Sequence, residues 1–157
     1  MKERYEQLIR NFCSAIGFEV ADNIIAGSPF EANGIEFALI YDSYATQDKV
    51  LIYTDFGPMP THDNKAIYYT LLEENFLYAM GRGGSFSLST TTGNIVYIES
   101  FSLDDANPKT LYESFDRLSK EAREWRITHY IGDAAKRSSP LLDSASHSLK
   151  RNFSVRN

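Results

Sequence analysis

The sequence predicts an α+β domain with element order α-β-β-β-α-β-β-α, a mainly antiparallel twisted sheet with helices packed on it. Three observations lead there. Apolar residues recur at helical spacing near residues 3–16, 61–80 and 108–130. Between these segments lie short runs rich in Ile, Val, Phe and Tyr, bounded by Gly, Pro and Asn. The connections between consecutive runs are short, which favours antiparallel neighbours, because parallel pairs need long crossovers.

Taken in order, Tyr5, Leu8, Ile9, Phe12 and Ile16 form the stripe of an amphipathic helix, with Cys13 beside it and Gly17 as a left-handed stop. Phe18 to Ala26 reads as the first strand, followed by a loop punctuated by Gly27-Ser28-Pro29 and Asn33-Gly34. Ile35 to Asp42 and Lys49 to Gly57 read as the second and third strands, joined by a turn over Tyr44 to Asp48 and ended by Pro58-Met59-Pro60.

The central helix begins near Thr61–Asp63, whose side chains can cap free N–H groups, and runs to about Met80. Its apolar residues exceed one ~100° stripe. Ala66, Ile67, Leu71, Leu72, Phe76, Ala79 and Met80 already spread past it, and Tyr68, Tyr69, Leu77 and Tyr78 widen it. Such a helix needs cover on two sides, and a second copy of the chain is the expected second cover. Gly81-Arg82-Gly83-Gly84 stops it. Ser85 to Ser89 and Ile95 to Phe101 form a hairpin around Thr92-Gly93-Asn94. Asn107-Pro108 is a capping residue followed by proline at the first helical position, and Leu111, Phe115, Leu118, Ala122 and Trp125 carry that helix to about residue 130.

Residues 1–130 are thus expected to form one domain, and 131–157 a basic, Ser-rich tail. The tail holds Lys136, Arg137, Lys150, Arg151 and Arg156 against Asp133 and Asp143. Ser139-Pro140 is a second cap-plus-proline start, and Leu142, Ala145, Leu149 and Phe153 share one helical face, which predicts a short helix near 140–152.

Composition narrows the function. The net charge of −5 disfavours nucleic acid, whose phosphates need clustered Lys and Arg. No apolar run approaches the ~20 residues that span a bilayer, so no stable membrane insertion is expected. Met1-Lys2-Glu3-Arg4 leads into an amphipathic pattern, not an apolar signal region. With Cys13 the single cysteine, no intrachain disulfide can form, and a soluble cytosolic protein is expected.

Catalytic chemistry finds little support, and neither a cofactor nor a metal is expected. His62, His129 and His147 lie far apart and show no metal-ligand spacing. Cys13 reads as a buried thiol beside Phe12 and Ile16, not a nucleophile. Gly81-Arg82-Gly83-Gly84 lacks the Gly-Lys-Ser/Thr ending of a phosphate loop and follows a helix where such a loop precedes one. Asp104-Asp105 sits where negative charge favours the next helix N-terminus. The sheet strands, by contrast, are apolar on both faces, as in Phe37 and Leu39 against Ala38 and Ile40. That leaves apolar surface for a partner.

Leu71-Leu72-x-x-Asn75-Phe76, the glycine turn after it, and the hairpin Phe86-x-Leu88…Thr92-Gly93-Asn94-Ile95-Val96 resemble the class I type III secretion chaperones, the Tir chaperone (CesT/SycE-like) family, over about residues 3–130. Ser89 stands where that family often has Asp. The resemblance implies a non-enzymatic homodimer in the bacterial cytoplasm. Such a protein binds the N-terminal segment of one or more secreted effectors in extended form, keeps them secretion-competent, and delivers them to the export ATPase or other parts of the secretion apparatus. By position, the resemblance places Leu72, Phe76, Met80 and Phe86 at the dimer contact. It places Leu8, Phe12, Ile16, Phe18, Val20, Phe37, Leu39 and Ile52 at the effector pockets. A small-ligand-binding or enzymatic α+β domain, with a pocket between the first helix and the sheet, is the alternative.

Overall fold

A computed structural model describes residues 2–44, 48–62, 64–79, 83–129 and 131. The first helix, α1 (Lys2–Ile16), buries Tyr5, Leu8, Ile9, Phe12 and Cys13. It ends as its sequence demands. Gly17 takes φ +75° and the Phe18 amide donates back to the Cys13 carbonyl at 2.9 Å, a glycine-terminated helix end.

The next segment corrects the expectation of a strand over Phe18–Ala26. Ala21–Ile25 is a short helix, α2, with Ile24 buried. Ala21, Ile24 and Ile25 fall at i, i+3, i+4, but over five residues that period cannot be told from a strand pattern. Asp22 and Asn23, poor strand formers, were the contrary signal. The first strand, β1 (Phe30–Ala32), instead lies inside the expected loop. It pairs with β2 (Ile35–Asp42) through a two-residue turn, Asn33-Gly34, in which both residues take positive φ, 54° and 76°. That is the backbone an Asn-Gly hairpin turn is built for.

The remaining elements follow the sequence pattern: β3 (Lys49–Pro58), α3 (Asn64–Ala79), β4 (Gly84–Leu88), β5 (Asn94–Ser102) and α4 (Pro108–Thr128). Asn107 caps α4, its side chain accepting from the Lys109 and Thr110 amides at 3.0 and 3.1 Å while the Thr110 hydroxyl accepts from the Asn107 amide. The expected tail helix near 140–152 lies outside the described residues.

The five strands form one antiparallel sheet in the order β1-β2-β3-β5-β4. Its inner face carries Ile35, Phe37 and Leu39 of β2, Val50 and Ile52 of β3, Tyr97 of β5 and Phe86 of β4, all buried. The buried apolar side chains of all four helices join the same cluster. Aromatic rings organise it in two groups. Phe115 of α4 meets Phe12, Phe30 and Phe37 at centroid distances of 5.3, 5.5 and 4.9 Å. Phe86 meets Phe56, Tyr78 and Tyr97 at 5.2, 5.8 and 4.8 Å. Tilted and edge-on pairs of this kind add ~0.5–1.5 kcal/mol each beyond area burial.

Polar side chains fix how α4 lies on the sheet. Arg117 holds Glu99 of β5 through two 2.7 Å hydrogen bonds from one guanidinium nitrogen. Burial pushes the Glu99 carboxyl above its ordinary value, and Arg117 pulls it back. One turn from the end of α4, Arg126 donates to the carbonyls of Phe56, Asp55 and Gly34 at 3.0, 3.1 and 3.3 Å. The first two lie at a bulge in β3 between Asp55 and Gly57, where the Asp55 carboxylate accepts from the Gly57 amide and the Asn94 side chain, and Gly34 is in the β1–β2 turn.

Candidate protein-interaction surfaces

A sheet with five strands has two edges, and this one treats them differently. At β4 the edge is blocked at Phe86 by α3. The Asn75 side-chain amide accepts from the Phe86 amide at 2.6 Å and donates to the Phe86 carbonyl at 3.0 Å. A carboxamide has the donor and acceptor of a peptide group, so Asn75 takes the place of a neighbouring strand at that residue. This is what the Leu-Leu-x-x-Asn spacing accomplishes. Leu71, Glu74 and Tyr78 are buried on the inner face of α3, and Asn75 flanks that face where it meets the strand.

At the other edge, β1 pairs with β2 alone among the described residues. The α1–α2 connection reaches this strand through Phe18. Phe18 packs edge-on against Phe30 of β1 at 6.2 Å. Ile16 and Val20 are exposed at 36% and 43%. The segment that reaches the open edge thus carries apolar side chains that are partly exposed among the described residues.

The third surface is the far side of α3. Tyr69, Leu72 and Phe76, at i, i+3, i+7, are exposed at 65%, 67% and 49%, and Tyr68 adjoins them. The two apolar sides expected of this helix are both present, and the protomer covers one of them.

The residues expected at effector pockets divide accordingly. Leu8, Phe12, Phe37, Leu39 and Ile52 are core residues, buried among one another and α4. Their side chains form the floor under the surface and cannot themselves receive a partner. Ile16 and Val20 are exposed, Phe18 between them in the chain packs on Phe30 of β1, and Phe30 was absent from the expectation. Of the residues expected at the dimer contact, Leu72 and Phe76 face outward. Phe86 does not: it is 5% exposed, inside the second aromatic group. Met80 lies outside the described residues. Leu88, two residues on from Phe86 along the edge strand, is exposed at 46% and was not among the residues expected at the dimer contact.

Among the described residues, no group of three or more His, Cys, Asp or Glu is placed to hold a metal ion. Cys13 is buried, and burial raises its thiol above the ordinary value, away from the thiolate a nucleophile needs. No helix of the described residues is long and apolar enough to cross a membrane.

The described residues thus form a sheet with helices on one face, one edge blocked at Phe86, one open edge and a helix with an exposed apolar side. The family model of the Tir chaperone protein (CesT) family matches residues 7–126, and the chain belongs to that family. A sequence comparison with curated proteins found no match. Solved structures share the fold at low identity. One is a chain of the ExsC–ExsE complex: TM-score 0.64, 12% identity, 82% of this chain and 95% of that one covered. A second is a chain of the HopA1–SchA chaperone–effector complex: TM-score 0.55, 16% identity, 81% and 96% covered. A third is from the Yersinia pestis type III secretion chaperone SycH in complex with a fragment of YscM2: TM-score 0.53, 14% identity, 76% and 98% covered.

Proposed function

We propose that this protein is a homodimeric, non-enzymatic type III secretion chaperone of the bacterial cytoplasm. It binds the N-terminal segment of one or more secreted effectors in extended form and presents them to the export apparatus. The observation that carries the reading is the contrast between the two sheet edges in a chain of this family. Asn75 blocks one edge at Phe86, whereas β1 has one strand neighbour among the described residues and is met by Phe18, which lies between exposed Ile16 and Val20 in the chain.

An extended segment adds to the β1 edge by main-chain hydrogen bonds, and its alternate side chains pack against Phe18 and Phe30 and the exposed Ile16 and Val20 on either side of Phe18 in the chain. Ordering that segment costs ~1–2 kcal/mol of backbone entropy per residue. Each fully buried apolar anchor returns ~1.5–3 kcal/mol, so several anchors are needed. The acidic protein favours segments of opposite charge.

Dimerisation uses the outer side of α3. Tyr69, Leu72 and Phe76 meet their copies across a two-fold axis, and Leu88 widens the contact towards the ~800 Å² per partner of a stable interface.

The test is affinity capture from the native cell followed by mass spectrometry. A secreted protein held through its N-terminal segment is the expected result. Recovery of the pure chain with a small molecule bound between α1 and the sheet would favour the alternative of a ligand-binding domain.

A further inference from the structure

The outer face of the sheet has no helix over it among the described residues, because the buried side chains of all four helices lie in the inner-face cluster. It is nonetheless apolar. Cross-strand partners Ala38, Tyr53 and Ile98 form one row, and Ile40 and Leu51 stand opposite each other in the next. Ile40 is exposed at 43%, and Leu51, Tyr53 and Ile98 are half-buried.

Near the β1–β2 turn this face becomes acidic. Glu31 and Glu36 are directly opposed in the strand register, both exposed, and neither has an ion pair among the described residues. Like charges so placed repel and leave a site for a cation. The phenol of Tyr53 responds to the same field. Burial raises it above its ordinary value, a hydrogen bond with Ser89 lowers it, and Asp55 and Glu36 add to the rise.

We propose that the chain's own C-terminal segment, residues 138–157, docks on this face. The segment has the required chemistry: Leu142, Ala145, Leu149 and Phe153 on one helical face, with Lys150, Arg151 and Arg156 beside them. It also starts in the right place. The chain leaves the described fold at Ile131, which is buried, two residues after His129 turns it with φ +53°. Arg126 fixes that exit beside the β1–β2 turn through its bond to the Gly34 carbonyl, and Glu36 follows Gly34 by two residues.

The lengths agree. Residues 132–139 span up to ~27 Å when extended, enough to round the end of the sheet. A helix over 140–153 is ~21 Å long, within the ~27 Å of an eight-residue strand such as β2. The segment shields the apolar rows and neutralises the opposed glutamates. This inference stands independently of effector binding at the β1 edge.

The test uses the full chain in a Cys13→Ser background with Ile40→Cys and Leu149→Cys. Equal amounts of isotopically labelled and unlabelled protein are mixed and then oxidised. The expected product is a disulfide joining residues 40 and 149 of the same isotopic chain, absent when Glu113→Cys on the exposed face of α4 replaces Ile40→Cys. Hydrogen exchange of the unmodified chain gives a second readout. Residues 140–153 are expected to exchange about tenfold or more slowly than in the Glu31→Lys/Glu36→Lys variant, with the protection weakened by salt. Cross-links only between differently labelled chains would assign this face to a second copy and overturn the proposal. Equal linkage at residues 40 and 113, or unprotected residues 140–153, would also overturn it.

Discussion

Asn75→Ala is the most informative single change, because Asn75 supports both the fold and its solubility. The substitution removes two hydrogen bonds, at 2.6 and 3.0 Å, and strips the Phe86 amide and carbonyl of the partner that Asn75 provides. Each lost bond is worth ~1 kcal/mol, and a half-buried group left without a partner adds to that, so a loss of ~2–4 kcal/mol is expected. For a chain of 157 residues this lowers the melting temperature by roughly 5–15 °C. Asn75→Asp keeps the acceptor for the Phe86 amide but loses the donor and brings a charge to a half-buried site, so it too is destabilising. Opening the β4 edge also exposes a strand that can pair with other chains. Thermal unfolding at fixed protein concentration, followed by light scattering near the transition, measures both effects. A melting temperature within ~2 °C of the parent, with no new aggregation, would refute the role given to Asn75.

Phe76→Glu places a charge in the outward apolar row of α3, where Phe76 is 49% exposed, and is expected to convert a dimer to monomers in sedimentation equilibrium while leaving the circular dichroism spectrum intact; an unchanged mass would move the interface elsewhere. Gly84→Ala would set a methyl group onto the Tyr97 hydroxyl and its ring carbon, so a loss of ~1–3 kcal/mol is expected by chemical denaturation. Tyr97→Phe, which removes a buried hydroxyl with no hydrogen-bond partner among the described residues, should restore part of that loss, and no rescue would show that the ring carbon, not the hydroxyl, carries the clash. The Tyr5 hydroxyl donates to the Leu39 carbonyl and is pushed up to about 12 by burial. Because the folded state raises this value, the contribution is complete below pH ~10 and is lost as pH climbs towards ~12, amounting to ~2–3 kcal/mol. Alkaline unfolding curves of the parent should therefore fall more steeply over that range than those of Tyr5→Phe.

Much of this architecture is legible in the residues because local signals and packing agree. The apolar stripe of α1, the Asn107-Pro108 cap of α4 and the alternation of Ile35–Asp42 each specify the element found there. The misreading of Phe18–Ala26 has a physical cause. Five residues of helix make barely more than one turn, too few for a 3.6-residue period to show against alternation. Asn33-Gly34 was visible as a turn, but β1 has only three residues, so the hairpin it closes had no strand-length signal on one side.

The surfaces were legible in kind more than in detail. That α3 has two apolar sides follows from its composition, whereas which side faces inward depends on Leu71, Glu74 and Tyr78 meeting the sheet. Phe86 and Leu88 show the limit. They sit at the same alternation in the edge strand, yet Phe86 is enclosed by Tyr78 and Tyr97 and Leu88 lies past the reach of the helix. Similarly, an amphipathic stripe such as Leu8, Phe12 and Ile16 identifies what is apolar but not which of its members the rest of the fold covers.

The account's central claim is that a secreted partner's N-terminal segment lies along the β1 edge, anchored beside Ile16 and Val20. The direct measurement is capture of that partner by the parent and by Ile16→Asp/Val20→Asp, two changes at exposed positions that leave the core untouched. Limited proteolysis of the captured complex completes it. The account predicts that the parent retains a protected N-terminal fragment of the partner, with exchange slowed at Phe30–Ala32, and that the variant folds normally but retains none. Full retention by a correctly folded variant, with exchange at β1 unchanged on binding, would contradict it.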